Sequence, residues 1–211
     1  MFARFAVAVL AMIVAVTASN ILVQYPVAAQ LGPINLADIL TWGAFTYPLA
    51  FLVSDLTNRA DGPRQARLVV VCGFVVAVAL SVYFSTPRIA IASGSAFLIG
   101  QLLDIAIFSR LRNRFWLLPP FAASLAGSLI DTAIFFSLAF APAFAGIDGL
   151  FGMEDGSLGM GAPWLGVGAE VPLWLSLATG DFAVKFLAAL VLLVPYRLLM
   201  NAVMPLRAVR A

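Results

Sequence analysis

Six apolar runs divide this 211-residue chain, and each is long enough to cross a bilayer as an α-helix. Inside hydrocarbon every backbone N–H and C=O needs a partner within the protein, so only helices and closed barrels can span. Runs of this length favour helices, because a spanning strand needs only about 9–11 residues. We therefore predict an all-α polytopic membrane protein: a bundle of six transmembrane helices forming one domain over residues 1–211. The predicted spans are 4–25, 39–56, 67–84, 89–109, 119–144 and 172–198.

Composition supports this class and argues against an enzyme. Hydrophobic residues make up 63% of the chain and charged residues 10%, whereas a soluble domain carries about 25% charged residues. The chain has no histidine, which removes the usual proton relays and most catalytic zinc sites. Cys72 is the single cysteine, so no intrachain disulfide can form. No nucleotide-binding or metal-binding motif is evident, and we predict no enzymatic activity and no cofactor.

The distribution of arginine predicts the orientation of the bundle. In a six-span arrangement one side holds Arg4, Arg59, Arg64, Arg67, Arg110, Arg112, Arg114, Arg197, Arg207 and Arg210. The opposite loops hold Arg88 together with Asp38, Asp148, Glu154, Asp155 and Glu170. The positive-inside rule then places both termini in the cytoplasm.

Three local features qualify the six-span interpretation. The first run also fits a secretory signal, but it continues to Tyr25, and we favour a retained helix. Pro48 should kink the second span and free a backbone carbonyl. The long outer segment 146–171 is either a lid over an entry path or a flexible connector, and we favour the connector. The two halves show no evident sequence repeat, so an inverted-repeat architecture is not predicted.

Two carboxylates lie inside predicted spans, Asp104 in the fourth and Asp131 in the fifth. A carboxylate near the bilayer centre costs at least about 2.5–3.5 kcal/mol, and such residues usually face a bundle interior or a polar path. Helical spacing places each acid on a stripe with neutral polar groups and phenylalanines. The stripes are Ser93, Phe97, Gln101, Asp104 and Phe108, and Ser124, Ser128, Asp131 and Phe135. A polar guest is favoured over polar contacts between helices, which usually use Ser, Thr, Asn or Gln.

Other polar residues in the spans leave alternatives open. Asp181 and Lys185 are four residues apart and either pair with each other or let Lys185 neutralise Asp131 or Asp104. Asp55 and Arg59 have the same spacing, so Asp55 is either half of a structural ion pair or part of a site. Asn20 and Gln24 lie toward the outer end of the first span.

Three stretches of the chain resemble motifs of one transporter family. The first is TYPLAFLVSDLTN at 46–58. The second, at 88–104, contains RIAIAS (88–93), AF (96–97) and QLLD (101–104). The third is GSLIDT at 127–132. These are similar to the signature of the bacterial queuosine precursor transporters, which are also grouped with vitamin uptake transporters. The resemblance covers about residues 19–140. It implies a multi-pass protein of the cell inner membrane that imports the 7-deazaguanines preQ0 and preQ1 for tRNA modification, with no nucleic-acid partner.

The family motifs carry over six candidate substrate-binding residues, namely Asp55, Asn58, Gln101, Asp104, Ser128 and Asp131. The polarity of the spans adds Asn20, Phe97 and Lys185. A 7-deazaguanine suits this chemistry, because one carboxylate can accept both N–H donors of its pairing edge. An aromatic ring can stack on the base, and the second carboxylate can balance the cationic aminomethyl group of preQ1. Which acid takes which group is left open.

Two other functions fit the same residues. The chain could be the substrate-capture subunit of a multi-component vitamin importer driven by a partner ATPase, since it has no nucleotide motif of its own. It could also be a structural membrane protein without a substrate, which the buried acids argue against. The energy source is open between proton coupling, facilitated diffusion and a partner ATPase, and the oligomeric state is open, a homodimer included.

Overall fold

The computed structural model describes residues 2–32, 34–152 and 161–203. Its helices are α1 (Phe2–Leu22), α2 (Gly43–Thr46), α3 (Pro48–Asp61), α4 (Pro63–Phe84), α5 (Pro87–Leu111), α6 (Leu118–Phe140), α7 (Gly146–Gly149) and α8 (Leu173–Val203). Short strands form two antiparallel pairs, β1 (Gln30–Leu31) with β2 (Ile34–Asn35) and β3 (Gly161–Pro163) with β4 (Glu170–Pro172). The predicted all-α membrane class is confirmed. The predicted acids Glu154 and Asp155 and the arginines Arg207 and Arg210 lie outside the described residues, as does the side chain of Asp38.

Local sequence sets where the long helices begin. Thr86 caps α5 because its Oγ1 accepts a hydrogen bond from the Ile89 amide at 3.5 Å, and Pro87 follows in the first turn. Pro119 and Pro120 occupy the first turn of α6, as predicted, where a missing N–H leaves no bond unmade. Gly62 joins α3 to α4 with a φ of 89°, which favours glycine over other residues.

Five of the predicted spans are continuous helices long and apolar enough to cross a membrane: α1, α4, α5, α6 and α8 up to Met200. The prediction for 39–56 was wrong in its bounds, because this segment contains two shorter helices, α2 and the 14-residue α3. The helix is interrupted at Tyr47, directly before Pro48, since proline has no N–H to continue the ladder. Two further bounds differ: α6 ends at Phe140 before Pro142, and Pro195 lies inside α8 rather than near its end.

The bundle has two chemically different ends. We call the end that holds Arg59, Arg110 and Arg112 the arginine end. Arg4 at the start of α1 pairs there with Asp61 at the end of α3, with 3.3 Å between nitrogen and oxygen. The opposite end, which we call the hairpin end, carries both strand pairs and α7.

The described parts of 146–171 are folded against the hairpin end. The Arg88 guanidinium is buried and lies 3.0 Å from Asp148 of α7. Asp148 also accepts hydrogen bonds from the Arg88 amide at 3.0 Å and from the Thr86 hydroxyl at 3.3 Å. Residues 161–172 form the β3–β4 pair. These described parts therefore have regular structure, where a flexible connector was expected.

Helices α5 and α6 pack most closely in the bundle, because glycine faces glycine where they cross. A Cβ on Gly100 would meet the Gly127 carbonyl oxygen at 3.1 Å, and one on Gly127 would meet the Gly100 carbonyl oxygen at 3.0 Å. Small residues let helix backbones approach in this way inside membranes. Helix α3 contacts both α5 and α6, and it also packs on α4 and α8. The broken second span therefore lies against the two helices that carry Asp104 and Asp131.

Candidate functional site

A narrow cleft lies between α3, α6 and α8, and the free space inside it, about 20 Å³, is enough for about one water molecule. Its polar lining is Asp55, Ser124, Ser128, Lys185 and Tyr196. The apolar lining is Pro48, Phe51, Leu52, Pro120, Ala189, Leu192 and Leu193. A mostly apolar concavity with a few converging polar groups is the usual form of a small-molecule site.

Lys185 at one end of the cleft joins two carboxylates. Its Nζ lies 2.8 Å from Asp131 Oδ2 on α6 and 2.6 Å from Asp181 Oδ2 one turn earlier on α8. Both pairings considered for Lys185 are therefore formed at once. The lysine is 5% exposed and Asp131 is 3% exposed, so water screens this pair little. We call Tyr47, Asp131, Thr132, Asp181 and Lys185 the lysine cluster.

Two hydroxyl groups complete the lysine cluster. The Tyr47 hydroxyl donates to Asp131 Oδ1 at 2.7 Å, and the Thr132 hydroxyl donates to Asp181 Oδ2 at 2.8 Å. The Lys185 Nζ also lies 4.8 Å from the centre of the Tyr47 ring, within cation–π range. Tyr47 is held at this position by the break before Pro48. The cluster carries two acids and one base, so its formal charge is −1 when all three are ionised.

A second group of acids lies on the arginine-end side of the lysine cluster. Asp55 on α3 and Asp104 on α5 are both buried, and the hydroxyl of Ser54, next to Asp55 in the chain, reaches the Asp104 carboxyl group. Ser124 donates to Asp55 Oδ2 at 3.1 Å, and Ser54 donates to Asp104 Oδ2 at 3.3 Å. We call Asp55 and Asp104 the carboxyl pair. Asp104 is fully buried and does not line the cleft, whereas Asp55 does.

Several polar atoms beside the carboxyl pair accept or donate no hydrogen bond within the described part of the chain. They are Oδ1 of Asp55, Oδ1 of Asp104 and both amide atoms of Gln101. Such orphaned buried groups are rare in folded proteins and call for an explanation such as a ligand, a water or a proton.

Of the two alternatives left open for Asp55, the ion pair with Arg59 is not formed within the described residues. Arg59 instead donates from Nε to the Tyr196 hydroxyl at 3.1 Å and from Nη1 to the Arg112 carbonyl at 2.7 Å. Arg112 returns a bond of 2.7 Å to the Arg59 carbonyl. The side chain of Arg59 therefore ties together α3, α8 and the end of α5. Asp55 instead accepts a hydrogen bond from Ser124 and lies beside Asp104.

Of the nine predicted binding residues, Asp55, Ser128 and Lys185 line the cleft. Gln101, Asp104 and Asp131 lie outside its lining, and the other three hold helices together. Asn20 accepts a hydrogen bond from Ser81 of α4 at 3.1 Å and donates to the Val16 carbonyl. Asn58 is fully buried and bonds Ser109 and the Ile105 carbonyl of α5, each at 3.1 Å. Phe97 is part of the apolar core around Met12 and Val69, with its ring edge against Tyr47. These contacts are those of residues that hold helices together.

Sequence reasoning missed a repeat that relates the two acid-bearing helices. Residues 96–108 read AFLIGQLLDIAIF and residues 123–135 read ASLAGSLIDTAIF, identical at eight of thirteen positions. Consecutive helices run antiparallel here, so the repeat is inverted. A Cβ on Gly100 would lie 3.0 Å from the Asp131 Cβ, and one on Gly127 would lie 3.2 Å from the Asp104 Cβ. Each acid therefore sits beside the glycine of the other helix, in equivalent positions about the crossing.

Comparison with known proteins agrees with this arrangement of acids in a membrane bundle. The family described as "Putative vitamin uptake transporter" matches residues 41–86 and 79–200. The chain belongs to this family. The match includes every predicted binding residue except Asn20, and both copies of the inverted repeat. The protein is thus a multi-pass membrane protein of a transporter family.

Two relatives give the comparison more detail. The queuosine precursor transporter of Escherichia coli (strain K12) is 37% identical over 146 residues, covering 59% of this chain and 63% of that protein. The probable queuosine precursor transporter of Haemophilus influenzae (strain ATCC 51907 / DSM 11121 / KW20 / Rd) is 36% identical over 152 residues, covering 59% of this chain and 65% of that protein. The match therefore spans under two thirds of either relative. No solved structure matches the chain.

Proposed function

We propose that this chain is an inner-membrane transporter that imports queuosine precursors, the 7-deazaguanines preQ0 and preQ1, for salvage into tRNA. The observation that carries the proposal is the pair of buried acid sites along one cleft, the carboxyl pair and the lysine cluster. The names of its relatives supply the class of guest. Buried acids in a membrane bundle usually mark a substrate or ion path.

The purine-like edge of the guest fits at Asp55. This residue lines the cleft, and its Oδ1 accepts no hydrogen bond within the described residues. A carboxylate there can accept the two adjacent N–H donors of a 7-deazaguanine. Phe51 lies on the same wall and offers an aromatic surface to the ring, an interaction worth about 1–3 kcal/mol per base in comparable sites. Ser128 adds a neutral hydrogen-bonding group.

The substituent at the other end of the guest fits at the lysine cluster. Lys185 lies against Asp131 where the cationic aminomethyl group of preQ1 needs an anion. The ammonium group of the guest can replace Lys185 at Asp131 if the lysine keeps its ion pair with Asp181. The geometry thus favours Asp55 for the ring edge and Asp131 for the amine, which divides the roles that the sequence left open.

The orientation of the carrier follows from the two ends of the bundle. The segment α2–α3 runs from the hairpin end to the arginine end and serves as the sixth crossing, which together with the five long helices returns both termini to one side. The positive-inside rule places the arginine end in the cytoplasm. A guest would then leave the cleft past Arg59 and Tyr196, which lie between Asp55 and that end.

The proposal is tested in cells that cannot synthesise queuosine precursors and lack their own importer. We expect expression of this chain to restore queuosine in tRNA when preQ0 or preQ1 is supplied at low concentration. Asp131→Asn keeps the size of the side chain but removes the charge that faces Lys185, and we expect it to abolish this salvage. Asp61→Asn is the matched control, since Asp61 makes only a partly exposed ion pair with Arg4, and such pairs contribute little to stability.

Queuosine content of the tRNA is measured with the amount of each variant in the membrane. Salvage by Asp131→Asn equal to that of the unaltered chain at equal abundance would contradict the assignment of Asp131. Absence of salvage with the unaltered chain would contradict the proposed substrates.

A further inference from the structure

The carboxyl pair receives few hydrogen-bond donors for two ionised acids in a buried site. Asp55 is 2% exposed and Asp104 is fully buried, and two neighbouring carboxylates have only acceptors to offer each other. Ser124 and Ser54 supply one donor to each acid, through the Oδ2 atoms. The Oδ1 atoms receive no donor from the described residues. A single proton on one of the two acids supplies a donor that the site lacks.

The cations around the carboxyl pair form their hydrogen bonds and ion pairs with other residues. Arg59, one turn beyond Asp55 on α3, bonds Tyr196 of α8 and the Arg112 carbonyl at the end of α5. Lys185 of α8 contacts Asp131 of α6 and Asp181. The α6 group that contacts the pair is the neutral Ser124. Arg4 of α1 pairs with Asp61, at the arginine end. Arg59 attracts Asp55 through space, but within the described residues no cation forms an ion pair or hydrogen bond with either acid. Two neighbouring like charges in a buried site disfavour ionisation of both.

We propose that the carboxyl pair is a proton-binding site and that its proton crosses the membrane together with the guest. This inference rests on the proposed function. The proton binds an oxygen of Asp104 from water on the outer side, forming one O–H bond, and is released to water on the cytoplasmic side. The reaction is therefore the net movement of one guest and one proton, and no other reactant is needed.

The guest and the proton do not compete, because the guest binds at Asp55 and the proton at Asp104. Asp55 lines the cleft and faces the guest, whereas Asp104 lies behind it, fully buried on α5. N–H donors of the guest favour an ionised Asp55, which keeps the shared proton on Asp104. When the site opens to water, both acids can ionise and the proton leaves. Binding of guest and proton thus support each other in the closed state.

The test uses purified full-length chain in lightly buffered proteoliposomes, with neutral preQ0 as the guest because it carries no amine that would bind a proton. We expect addition of preQ0 outside to make the medium more alkaline, by about one proton per guest taken up. An inward proton gradient should drive preQ0 accumulation. In Asp104→Asn we expect exchange of internal for external preQ0 to continue while both proton effects disappear. Asp61→Asn should retain both.

The outcomes separate this inference from the proposed function. Net uptake of preQ0 by the unaltered chain without a pH change, or with acidification of the medium, would overturn the proton site and leave the transporter intact. Proton movement with the guest in Asp104→Asn would overturn it as well. Absence of any preQ0 exchange by the unaltered chain would overturn both. The proton measurement on the unaltered chain needs no variant, so it stands even if Asp104→Asn fails to fold.

Discussion

Lys185 is the only lysine in the chain. The arginines that the structure describes lie near helix ends, whereas Lys185 does not. It lies inside α8, buried and held by two carboxylates and a tyrosine ring. An ammonium group is a compact charge on a flexible stem, whereas a guanidinium is a rigid fork. A lysine can therefore move between neighbouring acids, which suits a built-in counter-ion that a cationic guest replaces.

We predict that Lys185→Met changes the selectivity of the site. Without the lysine, Asp131 lacks its cation, and the ammonium of preQ1 becomes the counter-ion that remains. We expect the ratio of preQ1 affinity to preQ0 affinity to rise by about tenfold, which corresponds to about 1.4 kcal/mol. Competition binding to the purified protein measures this ratio, with Lys185→Arg as a control that keeps the charge. An unchanged ratio in Lys185→Met would show that the amine binds elsewhere.

At the scale of single residues, burial could be predicted from the sequence more reliably than side-chain contacts. The cost of placing an acid in an apolar helix was sufficient to single out Asp104 and Asp131, and both are buried. The partners of Asp55 could not be read from spacing, because Arg59 at one turn is drawn away by Tyr196 and the Arg112 carbonyl. Tyr47 was missed as a donor to Asp131, since 84 residues separate them and only the packed bundle joins them.

At the scale of elements, the inverted repeat in α5 and α6 explains why the two acids lie so close to the helix crossing. In each copy the glycine precedes the acid by four residues, about 6 Å along the helix axis. The glycine of one helix leaves room for the acid of the other. Elsewhere the two copies differ: Gln101 of α5 corresponds to Ser128 of α6, and Ile105 to Thr132. The two acids therefore share a backbone setting but have different partners.

We predict that Gly127→Ala separates this helix pair. The added methyl group would lie 2.7 Å from a ring atom of Phe51 and 3.0 Å from the Gly100 carbonyl oxygen. Overpacking of this kind costs about 1–3 kcal/mol. We expect a lower thermal unfolding temperature in detergent and weaker precursor binding. Gly149→Ala is the control, because a methyl group there meets nothing within 4 Å. Equal stability of the two variants would contradict the close crossing.

The second span was the element that the sequence described least well. The apolar run at 39–56 has the length of a helix, but it follows directly on a 3-10 turn at Leu36–Asp38, and α2 within it begins only at Gly43 and is four residues long. Pro48 correctly indicated the interruption, whereas the run of hydrophobic letters gave no sign of where the helix began. Hydrophobicity reports burial in lipid or protein, and the backbone geometry near a proline depends on tertiary contacts.

At the scale of the whole molecule, contacts at the two ends close the space between them. At the hairpin end Arg88 and Asp148 join α5 to α7. At the arginine end Arg59 and Arg112 exchange bonds of 2.7 Å with each other's carbonyl groups. A carrier must open one end at a time, and at the arginine end the bridge lies one helical turn beyond Asp55 of the cleft. The Arg59–Arg112 bridge is therefore the contact that we expect to break for release.

We predict that Arg112→Ala exposes the cleft from the arginine end. The substitution removes the bond from the Arg112 side chain to the Arg59 carbonyl and leaves the bond from Arg59 to the Arg112 carbonyl. In a Cys72→Ser background, we expect the thiol of Ser124→Cys to react faster with a membrane-impermeant thiol reagent applied to that side once the bridge is weakened. Arg114→Ala is the matched control, since the Arg114 side chain is exposed and forms no ion pair with any residue that the structure describes. Equal labelling rates in the Arg112 and Arg114 variants would show that the bridge does not gate the cleft.

The central claim is that this chain alone carries a 7-deazaguanine through a site bounded by Asp55 and Asp131. Uptake of radiolabelled preQ1 into proteoliposomes that contain only the purified chain tests it most directly, since no ATPase subunit is present. We predict that uptake of preQ1 is saturable and that unlabelled preQ0 competes with it. The Asp131→Asn variant should lower the uptake rate at least tenfold, whereas Asp61→Asn should retain it. Uptake that requires a partner protein, or equal uptake by the Asp131→Asn variant, would contradict the account.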